Sequence, residues 1–285
     1  MARVKRSELA GTWYAADSSG LRQQLDRLFL AAGAAPSAPL FGLIVPHAGY
    51  VYSGRAAAAG YGRLAAGEYR RIVILAPSHL AAYRGVAVIE VDAFETPLGL
   101  VPVERQGVEQ LLNHDLYRSN PQPFEGEHSL EIQLPFLQCV VPGIPVVPAL
   151  VGDLDGSDLA EAATALRRLD DGTTLFVVSS DFVHYGWRFR YTPFPPDGAE
   201  AVRSGLRALD MGAIDRICSG QCSAFQRYIT ETGATICGRV PVALFLAMYG
   251  QRSPGELFTY YTSLDVTGDY EHCVSYASIG FPRPG

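Results

Sequence analysis

Three apolar runs in this chain end in a polar cluster built around histidine. Leu43-Ile44-Val45 leads into Pro46-His47, and Ile72-Val73-Ile74-Leu75-Ala76 leads into Pro77-Ser78-His79. Leu175-Phe176-Val177-Val178 leads into Ser179-Ser180-Asp181-Phe182-Val183-His184. Unbroken runs of this length, rich in Val and Ile, are the pattern of strands buried on both faces of a parallel sheet. Residues 18–32 read as a first helix, because Leu21, Leu25, Leu28 and Phe29 share a face and Asp17, Ser18 or Ser19 can cap it. The pattern places these three strands over 40–45, 72–76 and 174–179 and predicts another over 145–150. Helices are predicted over 54–66, 108–113, 129–140, 157–169, 199–211, 221–231 and 241–249. Pro135 should bend the 129–140 helix or end its first part. Segments 85–91 and 98–103 alternate less cleanly and read as a hairpin or as edge strands. Two strands over 257–266 and 274–281 close the chain, with antiparallel pairing open to them. This alternation predicts an α/β fold: a single three-layer domain over 1–285, its central mixed, mostly parallel sheet flanked by helices.

In open α/β sheets ligands bind beyond the carboxyl ends of the strands. His47, His79 and the Asp181/His184 pair are therefore expected at one sheet edge. Two imidazoles on neighbouring strand ends are a common start for a divalent metal site. The plainer reading of each is a histidine bonded to a backbone carbonyl. Asp181 and His184 face the same way if the chain turns helically after the strand, and the carboxylate then orients the imidazole. Otherwise Asp181 caps and His184 packs. In Glu127-His128-Ser129-Leu130-Glu131, His128 and Glu131 share a stripe with Pro135 and suit a metal or a proton shuttle. Equally, Glu131 can close a capping box while Leu130, Leu134 and Leu137 pack. Cys237 precedes a predicted helix, whose amides favour a thiolate that is both a soft ligand and a nucleophile. A buried inert cysteine is the alternative. Cys218 and Cys222 lack a second pair, and Cys139, Cys273, His114 and His272 have no motif around them.

Composition narrows the class. At 285 residues and 48% hydrophobic, the chain can bury a large core, and no linker divides it. The formal charge of -6, with only isolated pairs such as Arg70-Arg71 and Arg167-Arg168, argues against nucleic acid. The apolar runs fall far short of the roughly 20 residues of a membrane span. The basic start leads into no apolar run, so no secretory leader is expected. Five cysteines without framework spacing point to a reducing, cytoplasmic setting.

Taken in order, Pro46-His47-Ala48-Gly49-Tyr50, Pro77-Ser78-His79, Glu127-His128-Ser129-Leu130-Glu131, Ser180-Asp181-Phe182-Val183-His184-Tyr185-Gly186 and Cys237-Gly238-Arg239 resemble the motifs of the Memo family. Ala10-Gly11-Thr12-Trp13-Tyr14 resembles that family's amino-terminal motif, so the likeness runs from about residue 10 to 240. The family's fold is similar to that of class III extradiol dioxygenases, which hold Fe(II) with two histidines and a glutamate. In Memo proteins the corresponding cluster is two histidines and a cysteine. The resemblance implies His47, His79 and Cys237 as ligands of iron or copper, with zinc as a third candidate. It also implies Asp181 and His184 in the same pocket, where they are the expected catalytic groups; Tyr50, Ser78, His128 and Glu131, beside these residues in the chain, are expected around the cofactor. Implied partners are an unknown small molecule or peptide and a radical-SAM protein. The chain departs from the family pattern at Ala76, Leu80 and Val240, where the family has Gly, His and often His.

Three functions follow. The first is a metalloprotein with redox or oxygenase-like chemistry, in which His184 takes a substrate proton and Asp181 fixes its tautomer. The second is a metal-free enzyme with Cys237 as nucleophile and His184 as base. The third is a binding module with a vestigial pocket.

Overall fold

The computed structural model describes residues 2–250 and 252–283. The chain opens with β1 (Val4–Lys5) and α1 (Ser18–Ala32), then runs β2 (Leu40–Val45), α2 (Tyr50–Tyr61), β3 (Arg71–Pro77) and β4 (Val86–Val88). Next come β5 (Ala93–Thr96), β6 (Gly99–Pro102), α3 (Arg105–Leu112), β7 (Tyr117–Ser119), α4 (His128–Glu131) and α5 (Leu134–Val140). The elements β8 (Val146–Val151), α6 (Gly156–Arg167), β9 (Thr174–Ser179) and β10 (His184–Tyr185) lead to α7 (Ala199–Cys218), α8 (Cys222–Thr232) and α9 (Arg239–Tyr249). The chain then passes through β11 (Glu256–Thr262), α10 (Leu264–Thr267) and β12 (Cys273–Pro282).

The main sheet has the order β10-β12-β2-β9-β3-β8-β4-β7, with β11 also on β12. Its centre, β2-β9-β3-β8, is parallel, whereas β12 runs antiparallel to β2 and β4 antiparallel to β8. The sheet is thus mixed, with the parallel ladder in its middle. All six residues of β2, β8 and β9 are buried, as the unbroken apolar runs demand. Each fully buried Val, Leu or Ile there contributes roughly 1.5–3 kcal/mol. Side chains alternate between sheet faces, and β2 shows both layers. Leu43 and Val45 lie against Gly60 of α2, while Gly42 lies against Phe245 of α9. A Cβ at Gly60 or Gly42 would collide with those side chains, so both positions need glycine for close approach. Helices α1 and α5 pack on α2, and α6 and α8 pack on α9, completing the three layers. One buried apolar cluster runs from Leu9 to Phe281.

Several boundaries differ from the sequence reading. Helix α2 starts at Tyr50 rather than 54, because the Tyr50 ring is buried and its hydroxyl donates to Ile132 O at 2.8 Å, anchoring the first turn. The 129–140 helix is two helices. Pro135, which has no N–H to donate, sits in the first turn of α5, where none is needed. Segments 85–91 and 98–103 do not pair with each other. Strand β4 joins the main sheet, while β6 forms a hairpin with β5 in a small sheet that also holds β1. The strand expected over 257–266 ends at Thr262 and gives way to α10, and α7 runs on to Cys218. The five cysteines are all free. No helix among the described residues is long and apolar enough to cross a membrane.

The consequence for the site is simple. Strand β9 lies between β2 and β3, and its register sets Ser179 beside Val45 and Val178 beside Leu75. The three histidine-bearing loops therefore leave the sheet at one edge.

Candidate metal centre

His47 follows β2 by two residues and is 2% exposed. Its Nδ1 is 2.8 Å from Ser179 Oγ. The Ser179 hydroxyl has one proton, which it donates to Ser129 O at 2.6 Å, and it accepts from Gln133 Nε2 at 2.9 Å. It can therefore only accept from His47, so Nδ1 carries the proton and Nε2 keeps its lone pair. Gln133 is itself fixed, since Tyr61 Oη donates to its Oε1 and its Nε2 also donates to Pro46 O. Burial, and secondarily the neighbouring imidazoles, push His47 well below its ordinary pKa, so the ring is neutral.

His79 follows β3 by two residues and is anchored differently. Its Nδ1 lies 2.9 Å from Glu127 Oε1, and its backbone N–H donates to Glu127 Oε2. Glu127 also caps α4 by accepting from Ser129 N. Burial alone would raise this carboxylate. The bonds and charge of His79 and the Ser129 amide outweigh it and hold the carboxyl down at about 2. An ionised carboxylate accepts only, so His79 Nδ1 carries the proton of that bond and the ring's other nitrogen is the one left to ligate. His128 stacks between His79, at 4.6 Å between ring centroids, and Trp13, at 4.3 Å. Burial pulls His128 down to about 4.

Cys237 closes the third side. Its Sγ is 3.1 Å from His47 Nε2 and accepts from Asp181 N at 3.2 Å. Gly238 lets this segment lie against the end of β9, since a Cβ there would overlap the Ser180 side chain. One ligand atom each from His47, His79 and Cys237 falls within 4.8 Å of the others. Two imidazole nitrogens and a sulfur at that spacing suit a transition metal, because the Nδ1 of each ring is already turned to its support. The thiol itself departs from the sequence reading. Burial, then the charge of Asp181, pushes it well above its ordinary pKa, and the amides of the helix start do not compensate.

The Asp181–His184 dyad is not formed. The chain runs extended through 180–183 into β10 instead of turning helically. Asp181 instead accepts from the backbone N–H of His47 at 2.7 Å and from that of Ala48. Burial outweighs those amides and pushes the carboxyl up to about 7. His184 Nδ1 sits between two carbonyls, Phe182 O at 2.9 Å and Thr235 O at 3.0 Å. Those carbonyls, not Asp181, fix its tautomer and leave Nε2 free. Burial lowers its pKa, so this ring is neutral as well.

Two residues expected around the cofactor serve the scaffold. Tyr50 packs on Phe136 and Tyr14 in the core. Glu131 closes no capping box. Its carboxylate accepts from Ser7 Oγ, Tyr14 Oη and the backbone N–H groups of Glu8 and Leu9, clasping the amino-terminal segment that carries Trp13. Ser78 lies beside the centre, its hydroxyl donating to Ala81 O at 2.8 Å. Glu127, Ser179 and Gln133 were not singled out from sequence. Only Glu127 had a local signal, as an acid two positions before the helix start predicted at 129. A cleft of about 320 Å³ opens on the centre, and Ser78, His79, Tyr83, Asp153, Cys237 and Arg239 are among its walls.

Fold and site together define an α/β protein with a candidate His/His/Cys metal centre at the carboxyl edge of its sheet. A family profile described as Memo-like protein matches residues 5–280. The chain is similar to protein MEMO1 of Xenopus tropicalis, with 36% identity over 253 residues, covering 86% of this chain and 84% of that one. It is 33% identical over 286 residues to the protein memo-1 homolog of Caenorhabditis elegans, covering 94% and 80%. It is 34% identical over 243 residues to human protein MEMO1, covering 83% and 81%. An uncharacterized protein of Escherichia coli K12 has a similar fold, with a TM-score of 0.54 at 16% identity, covering 85% of this chain and 100% of that one. The chain belongs to the Memo family.

Proposed function

We propose that the chain binds a transition metal through His47 Nε2, His79 Nε2 and Cys237 Sγ, and serves redox or oxygenase-like chemistry on a small molecule in the adjoining cleft. The observation that carries this reading is the convergence of three donor atoms within 4.8 Å, with the Nδ1 of each imidazole already engaged by Ser179 or Glu127. Two neutral imidazoles and one thiolate favour copper(I) and zinc over iron(II), for which a carboxylate in the third place is the better donor. A bound copper or iron would supply one-electron chemistry at the substrate, whereas zinc would supply Lewis acidity alone. His184 and Asp181, expected in the same pocket, are not among the walls of that cleft, so this reading gives neither of them proton transfer at the substrate.

The metal-free cysteine enzyme has less support. Its nucleophile would need His184 as base, but the nitrogen beside Cys237 Sγ is His47 Nε2, and burial keeps the thiol protonated. The test is elemental analysis of protein purified without a metal-affinity tag, paired with alkylation of Cys237 with and without chelator. Near-stoichiometric copper, zinc or iron, and a thiol that alkylates faster after chelation, are the expected results. A protein that takes up none of the three from metal-supplemented buffer, with equal alkylation rates, overturns the proposal.

A further inference from the structure

The cleft that opens on Cys237 and His79 carries two opposite charges that do not satisfy each other. Asp153 and Arg239 both line it, yet they form no ion pair. Arg71, Arg84, Arg203 and Arg283 are paired with carboxylates. The Arg239 guanidinium has no side-chain partner among the described residues. Its backbone, by contrast, is held. Arg239 N donates to Ile236 O at 3.2 Å, and the neighbouring Gly238 is wedged against Ser180. Only that glycine separates Arg239 from Cys237, so the root of this exposed side chain is fixed beside the three donor atoms and its guanidinium is free to turn over the cleft. The cleft volume of about 320 Å³ is at the lower end of small-molecule sites.

We propose that the substrate is a small carboxylate, bound at two points, its carboxylate on Arg239 and a neutral donor atom at the metal. The inference rests on the metal reading above for its second point. A guanidinium fork matches a carboxylate with two parallel hydrogen bonds. A phosphate dianion is the poorer fit, because Arg239 is the one arginine or lysine among the described residues of these walls and Asp153 repels a second negative charge. The Arg239 contact selects for the charged substrate and orients it toward Cys237 and His79.

Two neutral-donor probes test this on the Co(II)-loaded full chain: imidazole-4-acetate, and 4-methylimidazole, which lacks the carboxylate. Binding is read from the visible Co(II) spectrum. The wild type should bind imidazole-4-acetate about ten-fold more tightly, the effect of one charge-assisted contact at a partly wet site. Arg239→Gln should erase that ratio while keeping the sulfur-to-cobalt absorption, and Arg239→Lys should restore part of it. Equal affinities in the wild type, or a ratio that survives Arg239→Gln, overturn the proposal. A chelated sample separates the two readings. There, imidazole-4-acetate should shift the Arg239 Nε–Hε resonance and 4-methylimidazole should not. If Co(II) gives no sulfur-to-metal band, the metal reading and the two-point mode both fall, and the Arg239 resonance alone decides whether a carboxylate binds. No shift there removes the carboxylate site as well.

Discussion

Neutral groups anchor His47 and a carboxylate anchors His79, although both belong to one set of donor atoms within 4.8 Å of one another. Behind His47 stand the Ser179 hydroxyl, the Gln133 amide and the Tyr61 phenol, none of them charged. Behind His79 stands Glu127, held down at about 2. The difference follows solvent. The His47 side is sealed, and a carboxylate placed there without a cationic partner resists ionising. Asp181, which has only amide donors, is pushed up to about 7. The His79 side chain is 29% exposed, so the pair keeps part of its hydration while the carboxylate raises the basicity of the ligand. One arm fixes geometry and the other adds electron density.

The largest effects should come from the donors themselves. His79→Ala and Cys237→Ser should each weaken metal binding by at least about 1,000-fold, since a ligand atom is lost from a three-donor set. Competition against a chelator of known affinity measures this. If either variant binds like wild type, the three-donor centre is wrong and the two arms have nothing in common to be compared at.

The electrostatic half of the contrast can be tested away from the metal. Asp210 is fully buried and accepts from Val183 N and Tyr260 Oη, neutral donors like those of Asp181. Burial pushes it up to about 6 from 3.8. Below 3.8 the group is protonated in both folded and unfolded chains. As pH rises toward 6 the unfolded chain releases the proton first, so the folded state loses stability across that window. Relative to Asp210→Asn, wild type should therefore lose about 3 kcal/mol between pH 3.5 and 7.5, read from urea unfolding at each pH. A constant difference between the two proteins would mean that neutral donors suffice to ionise a buried carboxylate here.

Glu127→Gln should lower metal affinity by about 10- to 100-fold, the usual cost of losing a carboxylate behind a ligating histidine. The smallest change is expected from Ser179→Ala. It should cost about 1–3 kcal/mol of stability, because Gln133 and His47 Nδ1 lose a buried acceptor, but only a few-fold in affinity. An affinity loss larger than that of Glu127→Gln would reverse the assignment of roles to the two arms.

Much of this was legible in the chain. The runs over 40–45 and 174–179 marked β2 and β9 to the residue, because a strand buried on both faces has an unbroken apolar centre, bounded in β9 by Thr174 and Ser179. The tips of those runs located His47, His79 and the 180–184 loop. Tyr50 and Glu131 were placed near the cofactor because adjacency in sequence stood in for adjacency in space. In the fold one enters the core and the other binds the amino-terminal segment. The i, i+3 spacing of Asp181 and His184 misled for a similar reason, as it pairs side chains only on a helix and this loop is extended.

What sequence determined by itself was therefore whatever depends on local periodicity and strand direction: the elements, their layering, and the edge at which three histidine-bearing loops emerge. The partners of each side chain were left to tertiary structure. Ser179 meets His47 across 132 positions and Glu127 meets His79 across 48. No spacing rule reaches that far, because such contacts arise only when the sheet register brings separate loops together. The protonation of the site was decided at the same level, since burial and the donors that survive it set each pKa, and both are properties of the packed molecule.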